Sequence, residues 1–270
     1  MATPIGNLED VTLRALRVLR EAELVLAEDT RRTRVLLDRH GIAARPVSLH
    51  GHNERRRSEL ALAVLARGGD VALVSDAGTP LVSDPGERLV RAALEAGHPV
   101  SAVPGPSAVL AALAASGLGG GGFTFLGFPP RKPGERKALF ASLRGHAETL
   151  VFFEAPLRLG ATLRALADAL GARRACVARE LTKLHEELAR DTLDALAARF
   201  AAGARGEVTI VVEGAPRRAA ADSDLDTVDA AIRARAAAGG SASEIARDVA
   251  RATGAARSAV YKRVLALVRR

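Results

Sequence analysis

Up to about residue 214, the chain alternates short apolar runs with longer amphipathic segments. Apolar runs bounded by Gly, Pro or polar residues are typical of buried strands. They predict strands at residues 24–27, 47–50, 71–75, 99–103, 123–126, 149–153, 175–178 and 208–212. Apolar positions three or four apart predict helices at residues 8–22, 30–39, 57–67, 87–96, 107–116, 135–143, 156–170 and 192–202. This alternation predicts an α/β fold of mostly parallel sheets covered by helices.

Two changes in composition divide the chain into three parts. The glycine run from Gly117 to Gly122 interrupts the alternation and is typical of a hinge or linker. After Gly214 the strand signals stop and only helical patterns remain. We therefore expect an α/β domain at residues 1–117, a second α/β domain at 118–215 and a small helical tail at 216–270.

The helical tail is basic and has the spacing of a helix-turn-helix motif. It contains eleven Arg or Lys against six Asp or Glu, a net charge of +5 within a total of +8. Ala250, Gly254 and Val260 stand where such motifs have a small residue, a turn glycine and a core residue. This favours contact with nucleic acid, whereas solvated helix faces are the plainer interpretation. The side chains expected to make this contact are Arg257, Lys262 and Arg263.

Cysteine usage and missing motifs narrow the class of protein. Cys176 is the single cysteine and cannot form an internal disulfide, as expected in a reducing cytoplasm. No apolar run approaches the roughly 20 residues of a membrane-spanning helix. The fingerprints of nucleotide-binding loops, zinc sites and serine hydrolases are absent. We expect a cytoplasmic protein without a membrane segment or a metal site.

Glycine, proline and carboxylate residues cluster in loops that directly follow predicted strands. These loops are SDAGTPLVSDPG at residues 75–86 and PGPSA at residues 104–108. In open α/β sheets, ligands bind beyond the carboxyl ends of strands, where Gly lets the backbone approach closely. Helix capping by Asp76 and Ser107 is the alternative. For Ser107 the two interpretations weigh equally, but a cap leaves most of residues 75–86 unexplained.

Charged residues follow other predicted strands. Glu28 and Asp29 stand where a helix is expected to begin, and Glu180 and Lys183 follow the strand at 175–178 in the same way. Several basic residues could hold phosphates, although each cluster could equally be plain surface. They are Arg31, Arg32, Arg131, Lys132, Arg136 and Lys137.

Seven stretches occur in the order found in one known family: TPIGNL, AEDTR, SDAGTPLVSDPG, PGPSA, FFEAPLRL, ARELTK and GEVTIVVEG. From residue 2 to about residue 214, the chain resembles the ribosomal RNA small subunit methyltransferase I family. The resemblance implies the tetrapyrrole-methylase fold, with S-adenosylmethionine (S-adenosyl-L-methionine) in a cleft between two tandem α/β domains. It also implies a homodimer that 2′-O-methylates a decoding-centre cytidine of 16S rRNA in the small ribosomal subunit (cytidine 1402 in the family's usual description).

The resemblance further implies roles for individual residues. The residues expected to line the cofactor site are Asp76, Ala77, Gly78, Thr79, Pro80, Ser107 and Ala108, with Phe153, Ala178 and Thr209 across the cleft. Lys183 and Glu180 are expected to activate the 2′-oxygen, with Glu28 or Asp29 on the opposite wall. The alternative is that Lys183 and Glu180 simply pair with each other.

One departure from the family concerns the beginning of the chain. Members carry an apolar first strand before TPIGN, whereas only Met1 and Ala2 precede it here. We expect Met1 to mark a misassigned or shortened start, which the intact mass of the native protein would test. Two other functions stay open: methylation of a tetrapyrrole or other small molecule, and DNA-binding regulation through the tail.

Overall fold

The computed structural model describes residues 1–216, 225–253, 255 and 257–268. The chain divides into two compact units, Met1–Ala215 and Pro216–Arg270. The first unit contains both sheets, and the second is helical. Within the described residues, no helix is both long and apolar enough to cross a bilayer.

The first sheet is parallel, with the strand order β2-β1-β3. Its strands are β1 (Leu24–Ala27), β2 (Val47–Ser48) and β3 (Val71–Val74). The helices around it are α1 (Leu13–Glu21), α2 (Thr30–Arg39), α3 (Glu54–Ala66) and α4 (Glu87–Glu95). The next helix, α5 (Ala108–Ser116), packs against the second sheet. The parallel arrangement predicted from the apolar runs is confirmed for this sheet.

Strand β1 is buried along its whole length. Because successive side chains of a strand point to opposite faces, its residues supply two separate cores. Leu26 packs with Val64 of α3 on one face. Val25 packs with Leu19 of α1 and Leu37 of α2 on the other. Helices therefore cover both faces, as a continuously apolar strand requires.

Helices α2 and α5 begin at side-chain caps. The Asp29 carboxylate accepts a hydrogen bond from Arg31 N at 2.8 Å, and Ser107 Oγ accepts one from Leu110 N at 3.5 Å. The capping role considered for Ser107 is thus present in the structure. Helix α5 ends at Gly117, whose φ of +75° is the left-handed conformation that favours glycine.

The second sheet has five strands in the order β4-β5-β8-β6-β7. They are β4 (Phe123–Phe125), β5 (Thr149–Glu154), β6 (Arg174–Arg179), β7 (Glu187–Thr192) and β8 (Val208–Val212). Only β4 and β5 run parallel; β5 with β8, β8 with β6 and β6 with β7 are antiparallel. The prediction of a mostly parallel arrangement is therefore wrong for this sheet, because β8 inserts between β5 and β6 in the opposite direction.

Each face of the second sheet is covered by helices from a different part of the chain. Helices α6 (Pro133–Ser142), α7 (Leu159–Leu170) and α8 (Leu193–Arg199) pack on one face, around Phe140 and Phe152. A short 3₁₀ turn at Pro156–Arg158 leads into α7. Val109 and Ala112 of α5 pack on the other face. Helix α5 precedes the boundary expected at residue 117, so the first 117 residues contribute directly to the second core; that boundary stays a prediction.

One predicted strand is absent and one observed strand was not predicted. Residues 99–103 form no strand, because none of the described strands pairs with them; Ala2 N donates to Val103 O at 3.1 Å. Strand β7 was missed because it is a polar edge strand in which only Ala189 is buried. It leaves β6 through a turn at residues 180–186, where the pattern had indicated the start of a helix.

The second unit contains α9 (Leu225–Ala237), α10 (Ala242–Thr253) and α11 (Arg257–Val268). Their shared core includes Ile232, Val249 and Val260. Ala250 packs against this core, in agreement with the predicted spacing. The predicted turn residue Gly254 lies outside the described residues.

Candidate active site

A cavity of about 300 Å³ lies in the first unit, between the loops of the first sheet and the strands of the second. The structure brings eight of the ten predicted cofactor residues to its wall: Ala77, Gly78, Thr79, Ser107, Ala108, Phe153, Ala178 and Thr209. Asp76 and Pro80 do not line it. The further lining residues include Ile5, Val82, Ser83, Asp84, Phe128, Glu154, Leu181 and Glu207.

The three predicted residues on the far wall form one cross-strand row. Phe153 of β5 pairs with Thr209 of β8, and Thr209 pairs with Ala178 of β6. Residues in register on neighbouring strands lie about 5 Å apart and share a face. Stretches that are distant in the sequence thus meet because β8 lies between β5 and β6.

The near wall is the loop that follows β3, and its first part is pinned to the beginning of the chain. Thr3 N donates to Gly78 O at 2.9 Å, and Gly78 N donates to Thr3 O at 3.0 Å. Thr3 Oγ1 also donates to Ser75 O at 3.0 Å. Gly78 has a φ of +79°, a conformation that glycine adopts without strain. This pairing explains why TPIG and SDAG belong to one site.

The second part of the same loop carries unusual backbone conformations. Leu81 and Ser83 have φ values of +70° and +71°, which non-glycine residues rarely adopt. Val82, Ser83 and Asp84 line the cavity and were not among the predicted site residues. The sequence signal for them was available, because all three lie within SDAGTPLVSDPG. Strained backbone of this kind persists where surrounding structure holds it, often at functional sites.

Phe128 and a buried ion pair shape the mouth of the cavity on the second-sheet side. The Phe128 ring lies 5.6 Å from that of Phe153, centroid to centroid. The Glu154 side chain is completely buried, and its Oε1 lies 3.3 Å from Nε of Arg158. Arg158 in turn donates to Pro129 O at 2.8 Å, which ties the loop carrying Phe128 to the end of β5.

An ion-pair network links the two walls. Lys183 Nζ lies 2.8 Å from Glu180 Oε1 and 3.0 Å from Glu207 Oε2. Arg32 connects the two sides: its Nη1 lies 3.7 Å from Oε1 of Glu207, next to β8, and its Nε lies 3.6 Å from Oδ2 of Asp76, in the loop after β3. The pairing of Lys183 with Glu180, given above as the alternative, is therefore present. Glu207, another lining residue that the sequence did not single out, is shared by both cations.

These contacts set the charge states of the pair. Burial lowers the pKa of Lys183, but its hydrogen bonds to Glu180 and Glu207 outweigh this effect and hold the pKa above its ordinary value. The hydrogen bond from Lys183 lowers the pKa of Glu180. Lys183 is thus an ammonium at neutral pH, suited to stabilising negative charge and unsuited to accepting a proton.

The adjacent carboxylates Glu28 and Asp29 have opposite environments. The hydrogen bonds from the Arg31 guanidinium, followed by the cap bond from the Arg31 backbone N–H, lower the pKa of Asp29 to about 2. Burial raises the pKa of Glu28, and the nearby charges of Asp84 and Asp76 raise it further. Of the four predicted catalytic residues, Glu28 is therefore the one whose environment favours proton uptake at moderate pH.

The predicted RNA-binding residues differ in how far they are already engaged. In the described residues, Arg131, Lys137 and Lys262 are exposed, and Lys132 is exposed but paired with Glu135. Arg31 and Arg32 belong to the pairs just described. Arg136 is half-buried. Arg257 donates to Ser243 Oγ at 3.3 Å, and Arg263 holds the buried Asp229 through two hydrogen bonds of 2.8 and 2.7 Å.

Comparison with known proteins identifies the family. The sequence model of the tetrapyrrole (corrin/porphyrin) methylases matches residues 2–197. A protein of Mesorhizobium japonicum named ribosomal RNA small subunit methyltransferase I is 47% identical over 270 residues, covering 99% of this chain and 90% of its own. The chain belongs to the ribosomal RNA small subunit methyltransferase I family. A member of the same name from Thermotoga maritima is 46% identical over 215 residues, 79% of this chain and 96% of its own length.

Solved structures show the same fold at lower identity. Uroporphyrin-III-C-methyltransferase from Thermus thermophilus superposes with a TM-score of 0.58 at 23% identity, covering 78% of this chain and 91% of its own. A cobalt precorrin-4 methyltransferase gives a TM-score of 0.60 at 19% identity, covering 79% and 92%. The tetrapyrrole-methylase fold expected from the sequence is confirmed. The residues that match the family model, 2–197, all lie within the first unit.

Proposed function

We propose that this member of the family methylates the 2′-oxygen of a decoding-centre cytidine in 16S rRNA, using S-adenosylmethionine. The observation that carries the proposal is the 47% identity across 99% of the chain with a relative named for the small-subunit rRNA. The tail does not carry it, since the Thermotoga maritima relative of the same name is matched over only 215 residues. That length is close to the first unit alone.

The residues of the cavity fit the proposed cofactor. Gly78 brings its backbone to the wall with a φ of +79°, a conformation in which any other side chain would be strained. Phe153 and Ala178 offer an apolar surface to an adenine ring, and Thr209 adds a hydroxyl between them. S-adenosylmethionine would supply a methyl group activated on a positively charged sulfur. The Asp84 carboxylate, on the near wall with Gly78, favours a bound cation.

Glu28 and Lys183 do not line the cavity but lie beside its lining residues Asp84 and Glu207, where they suit proton transfer and charge stabilisation. Glu28, with its raised pKa, would accept the proton of the ribose 2′-hydroxyl at a carboxylate oxygen. The Lys183 ammonium would stabilise the negative charge that develops on that oxygen. The cross-cleft network through Arg32 would hold both walls at a constant separation, which favours alignment of the reacting groups.

The proposal includes an RNA-binding surface of exposed basic residues. Each unit would contribute its own phosphate contacts: Arg131, Lys132 and Lys137 near the start of α6 in the first unit, and Arg257 and Lys262 on α11 in the second. Contacts of this kind orient RNA without reading its sequence. It also includes a homodimer and a cytoplasmic location, where small ribosomal subunits are found.

The test uses small ribosomal subunits that lack the modification, the purified protein and S-adenosylmethionine with a labelled methyl group. Nuclease digestion and mass spectrometry would locate the label. We expect a single 2′-O-methylated cytidine in the decoding centre. Label elsewhere in 16S rRNA would contradict the proposal that the methylated nucleotide is this cytidine. No label in rRNA despite measurable cofactor binding would favour a small-molecule methylase, and tight binding of duplex DNA without methyl transfer would favour a regulator.

A further inference from the structure

Helix α4 begins without a cap of its own. Its N-cap position is Gly86, which has no side chain, and its first residues follow directly on the loop that lines the cavity. The first amide groups of a helix have no partner within the helix and need acceptors from elsewhere. Gly86 is buried, so water does not readily supply them.

Glu54 of α3 supplies the missing acceptor from a distant part of the chain. Its Oε1 accepts hydrogen bonds from Gly86 N at 3.1 Å and from Arg88 N at 3.0 Å. Only 8% of Glu54 is exposed. A carboxylate at the beginning of a helix also interacts favourably with the helix dipole. Glu54 thus binds the point where the loop ends and α4 starts.

The loop is held at both ends and strained between them. The Thr3–Gly78 pairing holds the first end, and Glu54 holds the second at Gly86. Gly86 itself has a φ of +122°, and a Cβ there would lie 2.7 Å from Leu73 Cδ2. Between the two anchors lie Leu81 and Ser83 with positive φ values. Such conformations need external contacts to persist.

We propose that Glu54 is a positioning residue, which holds residues 81–86 in the conformation that presents Val82, Ser83 and Asp84 to the cavity. Glu54 does not itself line the cavity. Its effect on ligand binding therefore passes through the loop. The inference rests on the proposed function only for the ligand, S-adenosylmethionine.

Three substitutions separate reach from charge. Glu54→Ala removes the acceptor, Glu54→Asp keeps the charge but shortens the side chain, and Glu54→Gln keeps an oxygen at the same reach. The matched control is Ser58→Ala, because Ser58 is equally buried on α3 but donates to Glu54 O within its own helix. Calorimetry would give the Kd of S-adenosylmethionine, and hydrogen–deuterium exchange would report on the amides of residues 81–88.

For Glu54→Ala and Glu54→Asp we expect the Kd to rise about tenfold, the factor that corresponds to one lost charged hydrogen bond. Faster hydrogen–deuterium exchange at residues 81–88 should accompany the higher Kd, while the rate of methyl transfer at saturating cofactor changes little. Glu54→Gln keeps an acceptor oxygen at the same reach but loses the charge, so both readouts should fall between those of Glu54→Ala and wild type, and Ser58→Ala should change neither.

Unchanged Kd and exchange in Glu54→Asp would overturn the proposal, as would an equal effect of Ser58→Ala. If Glu54→Ala does not fold, Glu54→Asp and Glu54→Gln decide the question. Failure of the proposed function has a different signature, because the wild type itself would then bind no S-adenosylmethionine. The exchange rates would still decide the role of Glu54: faster exchange in Glu54→Asp supports it, and unchanged exchange overturns it.

Discussion

Glu28 and Asp29 provide a sharp test of the proposed chemistry, because two adjacent carboxylates have opposite environments. Glu28→Gln preserves size and polarity but removes the ability to accept a proton. A general base contributes about 10²- to 10⁴-fold to a rate, so we expect kcat to fall by that range. Asp29→Asn should leave kcat near wild type, since its side-chain oxygen can still cap α2.

The pH dependence follows from the direction of the Glu28 shift. The carboxylate is the active form of the base, so the wild-type rate should rise with pH through the pKa of Glu28. Burial and the nearby Asp84 and Asp76 raise that pKa, so the rise should occur at higher pH than for an ordinary glutamate. This rise of the rate with pH should be absent from Glu28→Gln and unchanged in Asp29→Asn.

As pH rises through the pKa of Glu28, the free energy of unfolding should fall while the rate rises. Because the folded state holds the Glu28 proton more tightly than the unfolded state, stability falls as pH rises from the unfolded pKa through the folded pKa. Glu28→Gln removes this loss and should be slightly more stable than wild type at neutral pH, by thermal denaturation.

Single-turnover methyl transfer at saturating cofactor, measured across pH 5 to 9, is the assay for both variants. It isolates the chemical step from product release. Equal rates for Glu28→Gln and wild type would refute the assignment of Glu28 as the base. An equal loss in Asp29→Asn would show instead that any change at this edge of the sheet disrupts the site.

Three further predictions concern other parts of the molecule. Lys183→Met should lower kcat by about 10²-fold or more while the Kd of S-adenosylmethionine stays near wild type, and an unchanged kcat would remove Lys183 from the chemistry. Arg158→Ala should lower the unfolding free energy by about 3–5 kcal/mol, because it leaves the buried Glu154 carboxylate without its cation, and denaturant unfolding would measure this. Lys262→Ala should weaken rRNA binding and reduce the salt dependence of that binding without changing stability. Arg263→Ala should mainly destabilise the helical unit, because Arg263 holds the buried Asp229. The reverse pattern in binding titrations and thermal melts would contradict this assignment.

Local sequence patterns were sufficient for most of the elements. The runs at β1 and β8 are fully buried apolar strands, β3 alternates buried and half-buried apolar residues, and α2 lies at the residues that its pattern predicted. The errors occurred where an element depends on pairing with another strand. Strand β7 is a polar edge strand, defined by its pairing with β6 rather than by its own composition.

The candidate site shows the same division. Motif resemblance placed Phe153, Ala178 and Thr209 in one site, although they lie on three separate strands. Sequence reasoning treated Glu28 and Asp29 alike, because both are carboxylates at the same strand end. Their difference arises from burial and from which charges fold beside them, and neither is visible in the local sequence.

By itself, the sequence determined the type of most helices and strands and the family to which the chain belongs. It could do so because turns, caps and apolar periodicity act over a few residues. Only the tertiary structure decided the antiparallel insertion of β8, the network that joins Arg32 to Lys183, and the contact of Glu54 with the loop before α4. These features join residues at least 24 positions apart, whose proximity depends on how the whole chain packs.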